Sequence, residues 1–183
     1  QHFPPIPNYD LADTTTRIRA LPTRQLHITA GNSPLVPLIS LLRAIWTKSA
    51  ATIKLPYGAT LAGSYLAQLA ARIFPNHPIT QHLSVLYWPG GNQYFETPLF
   101  LPGRYDRIVV WGAPGAVSSV TERANFTRTV TFNPRYGVSL IGREAFDQLP
   151  HVASRALCDT LIQGQKACIS SQIHYIEATE SQA

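Results

Sequence analysis

The stretch QLHITAGNSPLVPLISLLRAIWTKSAATIKLP, residues 25–56, decides the fold. It opens with a short β-prone run that ends at Gly31. Leu35, Leu38, Leu42, Ile45 and Trp46 then recur at helical spacing, and ATIKLP returns to a strand pattern. The rhythm continues on the C-terminal side. ATLAGSYLAQLAARIF predicts a helix stopped at Pro75, and HLSVLYWPGG predicts a third strand closed by the turn Pro89-Gly90-Gly91. DRIVVWGAPG predicts a fourth strand leading into a helix over AVSSVTERAN. TRTVTFNP and GVSLIG add two strands around a turn at Pro134 to Gly137. A helix from about His151 to Ile162, a loop at Gly164 and a strand around QIHYIEA complete the pattern. Nearly all-apolar strands alternating with helices predict an α/β fold, a parallel sheet covered by helices on both faces in three layers. Such sheets bind ligands at the carboxyl ends of their strands, so the residues following each strand are the ones to inspect.

Composition narrows the classes. A hydrophobic content of 45% in 183 residues fits a soluble globular protein with a substantial core. The net charge of +5 is spread without a run of Lys or Arg, which argues against nucleic acid and suits a phosphorylated small molecule. No apolar run approaches the roughly 20 residues of a membrane helix, and the first residues lack the order of a signal peptide. Two cysteines match neither a disulfide framework nor a zinc spacing, so no metal is expected and the location expected is cytoplasmic. The sequon Asn125-Phe126-Thr127 then reads as a chance match. Methionine is absent even from position 1, and the chain is expected to be an excerpt of a longer gene product.

Four places follow strands. Gly31-Asn32-Ser33-Pro34 is either a plain helix cap or a side-chain amide aimed into a cleft as an oxyanion donor. Lys54, beside Pro56, is either solvated or a partner for a ribose or phosphate. Gly112-Ala113-Pro114-Gly115 precedes a helix where a pyrophosphate could meet backbone N–H groups, although Gly-rich turns are common without ligands. Cys168 is either a small buried filler or a thiolate nucleophile in a loop with Gly164, Gln165 and Lys166. Cys158, among Ala156, Leu157 and Leu161, reads as core.

In combination, ITAGNSPLVPLISLLRAIWTKSAATIKLP, VLYWPGGN, DRIVVWGAPGAV and CDTLIQGQKACISSQIHYIE resemble the aldehyde dehydrogenase superfamily. Within it they resemble the acyl-CoA reductase branch, typified by the fatty-acid reductase of bacterial luminescence. The resemblance spans roughly Gln25 to Glu177. It implies that Cys168 is the catalytic thiol and that Asn32 helps form the oxyanion hole with the Cys168 N–H. It implies that Lys54, with Pro56, contacts the adenosine ribose of a nicotinamide cofactor, and that Gly112 and Gly115 belong to the cofactor turn. Ala113 and Pro114 replace the hydroxyl residues usual there. Tyr57 stands where members favouring NAD carry a Glu, which tilts the expected cofactor to NADPH, with NAD still possible. Asn133 stands where hydrolytic members carry the Glu that activates water, and an amide is no general base. Glu144 is a weaker substitute.

The implied reaction is NADPH-dependent reduction of an acyl-CoA substrate to an aldehyde through an acyl-cysteine. Its rivals are an oxidising aldehyde dehydrogenase and a non-catalytic nucleotide-binding module or inactive fragment. The implied organisation is an extended arm over 1–24, a cofactor domain over 25–133 and the beginning of a catalytic domain over 134–183. No membrane span and no nucleic-acid partner are expected, and a homo-oligomer is expected of the full-length protein.

Overall fold

The structure, a computed structural model, describes residues 19–124 and 128–178. The first eighteen residues of the expected arm, the sequon at 125–127 and residues 179–183 lie outside the described residues. Five strands form one parallel sheet: β1 (Arg24–Ile28), β2 (Ala50–Leu55), β3 (Leu83–Tyr87), β4 (Arg107–Trp111) and β5 (Thr129–Phe132), in the order β3-β2-β1-β4-β5. The helices α1 (Leu35–Trp46), α2 (Thr60–Ile73), α3 (Pro78–Gln81), α4 (Gln93–Phe100) and α5 (Pro114–Ala124) make the crossovers.

Because side chains alternate across a strand, each central strand feeds two cores. Leu26, Ile108 and Val110 join Trp88, Phe100, Val117, Val120 and Ala124 on the face of α4 and α5. Ile53 and Leu55 join Leu41 on the face of α1 and α2. Pro37 is tolerated inside α1 because the N–H groups of a first helical turn have no intrahelical acceptor. Gly63 lets α2 lie down on β2: a Cβ there would sit 2.5 Å from Leu55 Cδ2. His27, 1% exposed, is buried in β1 with Nε2 2.9 Å from Gln25 Oε1. Burial, helped by the Arg43 charge, lowers its pKa to about 4.

The chain then builds a second, smaller βαβ unit. β6 (Gly137–Ile141) and β7 (Ser171–Ile176) pair in parallel, with α6 (Leu149–Leu161) between them in sequence. β5 and β6 therefore do not form a ladder across the turn at 134–137. A tight hairpin needs residues such as Asn-Gly at its centre, and Pro134 has no N–H to donate. Gly137 packs against the Ser170 carbonyl, where any Cβ would collide with it.

Two expectations change. α3 and α4 are additional elements. The start of α4 is set by Asn92, whose Oδ1 accepts from the Phe95 N–H at 3.2 Å. Cys158 is exposed, not core. It lies on α6, none of whose residues is buried. Helical spacing marks an apolar stripe, but only the neighbouring elements decide what covers it.

Candidate active site

The chain leaves β1 toward β2 and later returns to the opposite side of β1 as β4. In open parallel sheets such a reversal is where ligands bind, at the carboxyl ends of the strands. The turn Gly31–Pro34 follows β1 there and the turn Gly112–Gly115 follows the adjacent β4.

Ser33, not Asn32, serves the start of α1: its Oγ accepts from the Leu35 N–H at 3.2 Å. Asn32 is turned elsewhere, and its Nδ2 donates to the Lys166 carbonyl at 3.1 Å across 134 residues of sequence. That bond joins the first strand's exit to the loop carrying Cys168, which is exposed.

The Cys168 loop is tightly specified. Gln163 (φ 52°, ψ 34°), Gly164 (φ 62°, ψ 36°) and Gln165 (φ 63°) follow one another in the left-handed region. Only glycine adopts that region without penalty, so two of the three residues are strained. Side-chain donors brace the loop. Ser170 Oγ donates to the Ile162 carbonyl at 2.8 Å and Gln172 Nε2 to the Gln165 carbonyl at 3.3 Å. The Asn32 amide adds the third brace. The Cys168 N–H donates to no acceptor among the described residues.

Lys54 is buried rather than solvated, with its relative exposure at 9%. Its carbonyl accepts from Thr29 twice, from the N–H at 3.2 Å and from Oγ1 at 2.7 Å, which locks the ends of β1 and β2 together. Its Nζ lies 5.9 Å from the centroid of the Trp88 ring. Burial lowers the Lys54 pKa, and the nearby Glu96 carboxylate opposes that shift. Glu96 is itself buried, accepting from Trp88 Nε1 at 3.1 Å and pairing with Arg123 at 2.9 Å. Pro56 is buried against the turn, where a Cβ on Gly31 would approach it to 3.2 Å.

At the other turn, the Ala113 carbonyl accepts from the Ala116 and Val117 N–H groups, and Pro114 has no N–H. The Gly115 N–H is left without an acceptor among the described residues. A Cβ on Gly115 would meet nothing within 4 Å. Pro114, Val117, Ser118, Thr121, Thr131 and Asn133 line a groove of about 550 Å³ between α5 and the end of β5. Asn133 thus opens onto the first turns of α5.

The fold brings Asn32 to the Cys168 loop and sets Lys54 and Asn133 on the sheet face covered by α4 and α5. No hydrogen bond or ion pair among the described residues joins Lys54 or Glu144 to the Cys168 loop, and Glu144 is exposed. Sequence reasoning missed Thr29, Trp88 and Glu96. Trp88 lies within a motif already singled out, VLYWPGGN, whereas Glu96 carried no signal of its own.

Comparisons with known proteins point one way. A family model described as acyl-CoA reductase (LuxC) matches residues 13–183. A long-chain acyl-protein thioester reductase of Photorhabdus laumondii subsp. laumondii is 34% identical over 164 residues, covering 87% of this chain and 33% of that protein. One of Vibrio harveyi is 31% identical over 162 residues, covering 86% and 33%. The chain therefore spans about a third of the length of the curated relatives it matches. Among solved structures, an NADP dependent enzyme of E. coli superposes with a TM-score of 0.69 at 15% identity, covering 84% of this chain and 31% of that one. A propionaldehyde dehydrogenase from Clostridium phytofermentans gives 0.69 at 13% identity, covering 84% and 35%. At these identities the likeness is one of fold.

Proposed function

Starting from the fact that the chain belongs to the acyl-CoA reductase (LuxC) family, we propose that it supplies the nucleotide-binding and nucleophile-bearing parts of an oxidoreductase. The enzyme reduces a long-chain acyl thioester to an aldehyde. The observation that carries this reading is the 3.1 Å bond from Asn32 to Lys166, which assembles an amide donor and a thiol from opposite ends of the sequence.

The Cys168 thiolate attacks the thioester carbonyl carbon. A bond forms from its sulfur, the bond to the departing thiol breaks, and that thiolate takes up a proton. The carbonyl oxygen gains charge during the attack, and preorganised donors are most effective there. One Asn32 N–H is committed to the Lys166 carbonyl, which fixes the plane of the amide. The second N–H and the unpaired Cys168 N–H are the donors for the oxyanion. The departing thiol is coenzyme A, as the family description implies, or a protein thiol, as the names of the relatives imply. Asn133, lacking a basic oxygen, leaves the acyl-Cys168 without an activated water.

The residues fit a nicotinamide nucleotide. Lys54 and Pro56 would hold the ribose, and the Gly112–Gly115 turn would offer the phosphates the unpaired Gly115 N–H, with open space at Gly115. Such a nucleotide supplies the hydride that reduces the acyl-Cys168. Lys54 without a carboxylate at position 57 favours NADPH over NADH.

The test is acyl transfer from a labelled long-chain acyl-CoA, read by intact mass spectrometry. The protein and its Cys158→Ser variant are expected to carry one adduct that neutral hydroxylamine removes, and Cys168→Ser none. An adduct retained on Cys168→Ser overturns the assignment. With NADPH present, aldehyde rather than free acid is the expected product, and free acid supports an oxidising dehydrogenase instead.

A further inference from the structure

The Glu96 carboxylate is buried against Trp88, the residue that follows β3, and its charge is felt by Lys54 near the end of β2. A buried carboxylate is expensive unless every partner is in place. Here one oxygen accepts from the Trp88 indole at 3.1 Å and the other from Arg123 at 2.9 Å. Arg123 is held in turn by the Ser119 carbonyl at 2.9 Å and lies 4.7 Å above the Phe100 ring. The bond to Glu96 leaves the indole one orientation, and the face so presented carries the Lys54 Nζ at 5.9 Å.

We propose that Glu96 is a positioning residue for the nucleotide site: by fixing the Trp88 indole and lying beside Lys54, it holds the Lys54 ammonium at the carboxyl edge of the sheet. This rests on the reading that a nicotinamide nucleotide binds along that edge. Glu96 acts on Lys54 in two ways, through the ring beneath it and through its own charge, which offsets the burial that disfavours the ammonium. The charges also count. Arg123 is matched by Glu96, while Lys54 has no carboxylate within ion-pair distance among the described residues. The cluster therefore presents one unmatched cation, suited to a phosphate or another anionic part of a nucleotide.

The sign of the effect separates this role from simple electrostatics. Removing a buried negative charge beside an anion site would by itself tighten binding. Loss of positioning weakens it. NADPH binding to the protein, followed by fluorescence titration, is compared for Lys54→Met, Glu96→Gln, Trp88→Phe and the double variants of the last two with Lys54→Met. Lys54→Met and Glu96→Gln are each expected to weaken binding about tenfold. Trp88→Phe, which keeps a ring but removes the indole N–H, is expected to weaken it less. In the Lys54→Met background neither substitution adds a further loss, because the ammonium they position is gone.

Unchanged or tighter binding by folded Glu96→Gln, or losses that add fully to that of Lys54→Met, overturn the proposal and leave the nucleotide reading standing. Unchanged binding by Lys54→Met removes the nucleotide reading at this edge, and the proposal falls with it. Should Glu96→Gln fail to fold, shown by loss of its circular dichroism, Trp88→Phe and its double variant decide by the same criterion.

Discussion

The Asn32 amide nitrogen lies 3.1 Å from the Lys166 carbonyl oxygen, two residues before Cys168, although 134 residues of chain separate the pair. The loop around Lys166 is already bent through three left-handed residues, and the Asn32 donor is one of the braces holding it there.

Asn32→Asp preserves the shape of the side chain while replacing a donor with a carboxylate that faces a carbonyl. Acylation of Cys168 is expected to slow by about 10²–10³-fold, the usual cost of losing one oxyanion donor. Since Asn32 is exposed, the thermal midpoint should move little. Quenched time courses of adduct formation measure the rate, and a near-native rate would dissociate Asn32 from the chemistry.

Gln163 is strained at φ 52°, and its Oε1 is buried without a hydrogen-bond partner among the described residues. Gln163→Gly relieves both features, whereas Gln163→Val forces a β-branched residue into the same region. Urea melts should rank the glycine variant above the valine variant by about 1 kcal/mol or more.

His27 gives a pH dependence with a definite sign. Its pKa in the folded chain is about 4, below the ordinary value of 6.5, because burial penalises the imidazolium. The unfolded chain therefore binds the proton first as pH falls. Stability is full above pH 6.5 and is lost progressively as pH drops toward 4, by about 3 kcal/mol at most. His27→Gln should flatten the difference between urea midpoints at pH 7.5 and 5.

Gly63 tests the contact of α2 with the sheet. The Cβ of Gly63→Ala would sit 2.5 Å from Leu55 Cδ2, so helix and strand must separate. Destabilisation of about 1–3 kcal/mol is expected in a chemical melt. Gly58→Ala, where a Cβ meets nothing within 4 Å, is the control and should lie within about 0.5 kcal/mol of the parent.

Asn133→Glu returns a carboxylate to the groove beside α5. If the amide protects the acyl-Cys168 from water, this variant should shorten the lifetime of the adduct in the absence of nucleotide and release free acid. Mass spectrometry of the adduct over time gives the comparison, and an unchanged lifetime would remove Asn133 from the account of product choice.

Much of the fold was legible because strand and helix periodicities are local. The β-prone run 25–31, the Leu and Ile spacing of α1 and the second run 51–56 made a parallel βαβ unit the consistent reading, and the five-stranded sheet follows it. α4 was not legible, because its boundary rests on one Asn92 hydrogen bond and its interior contains Pro98. Cys158 was misplaced because an apolar stripe on α6 does not reveal whether another element lies against it.

For the site, the sequence by itself determined the chemical vocabulary: a thiol, an amide, a lysine and a glycine turn, each just after a strand or in a loop. Those are properties of residue type and local order. Only the tertiary structure decided which of them meet. The reversal of strand order sets the turns after β1 and β4 at neighbouring strand ends, Ser33 takes over the helix start, and Asn32 is thereby released to reach Lys166. The burial of Lys54 beside Trp88 and Glu96 is likewise a product of packing, since desolvation depends on what the chain brings from elsewhere and not on the strand that carries the lysine.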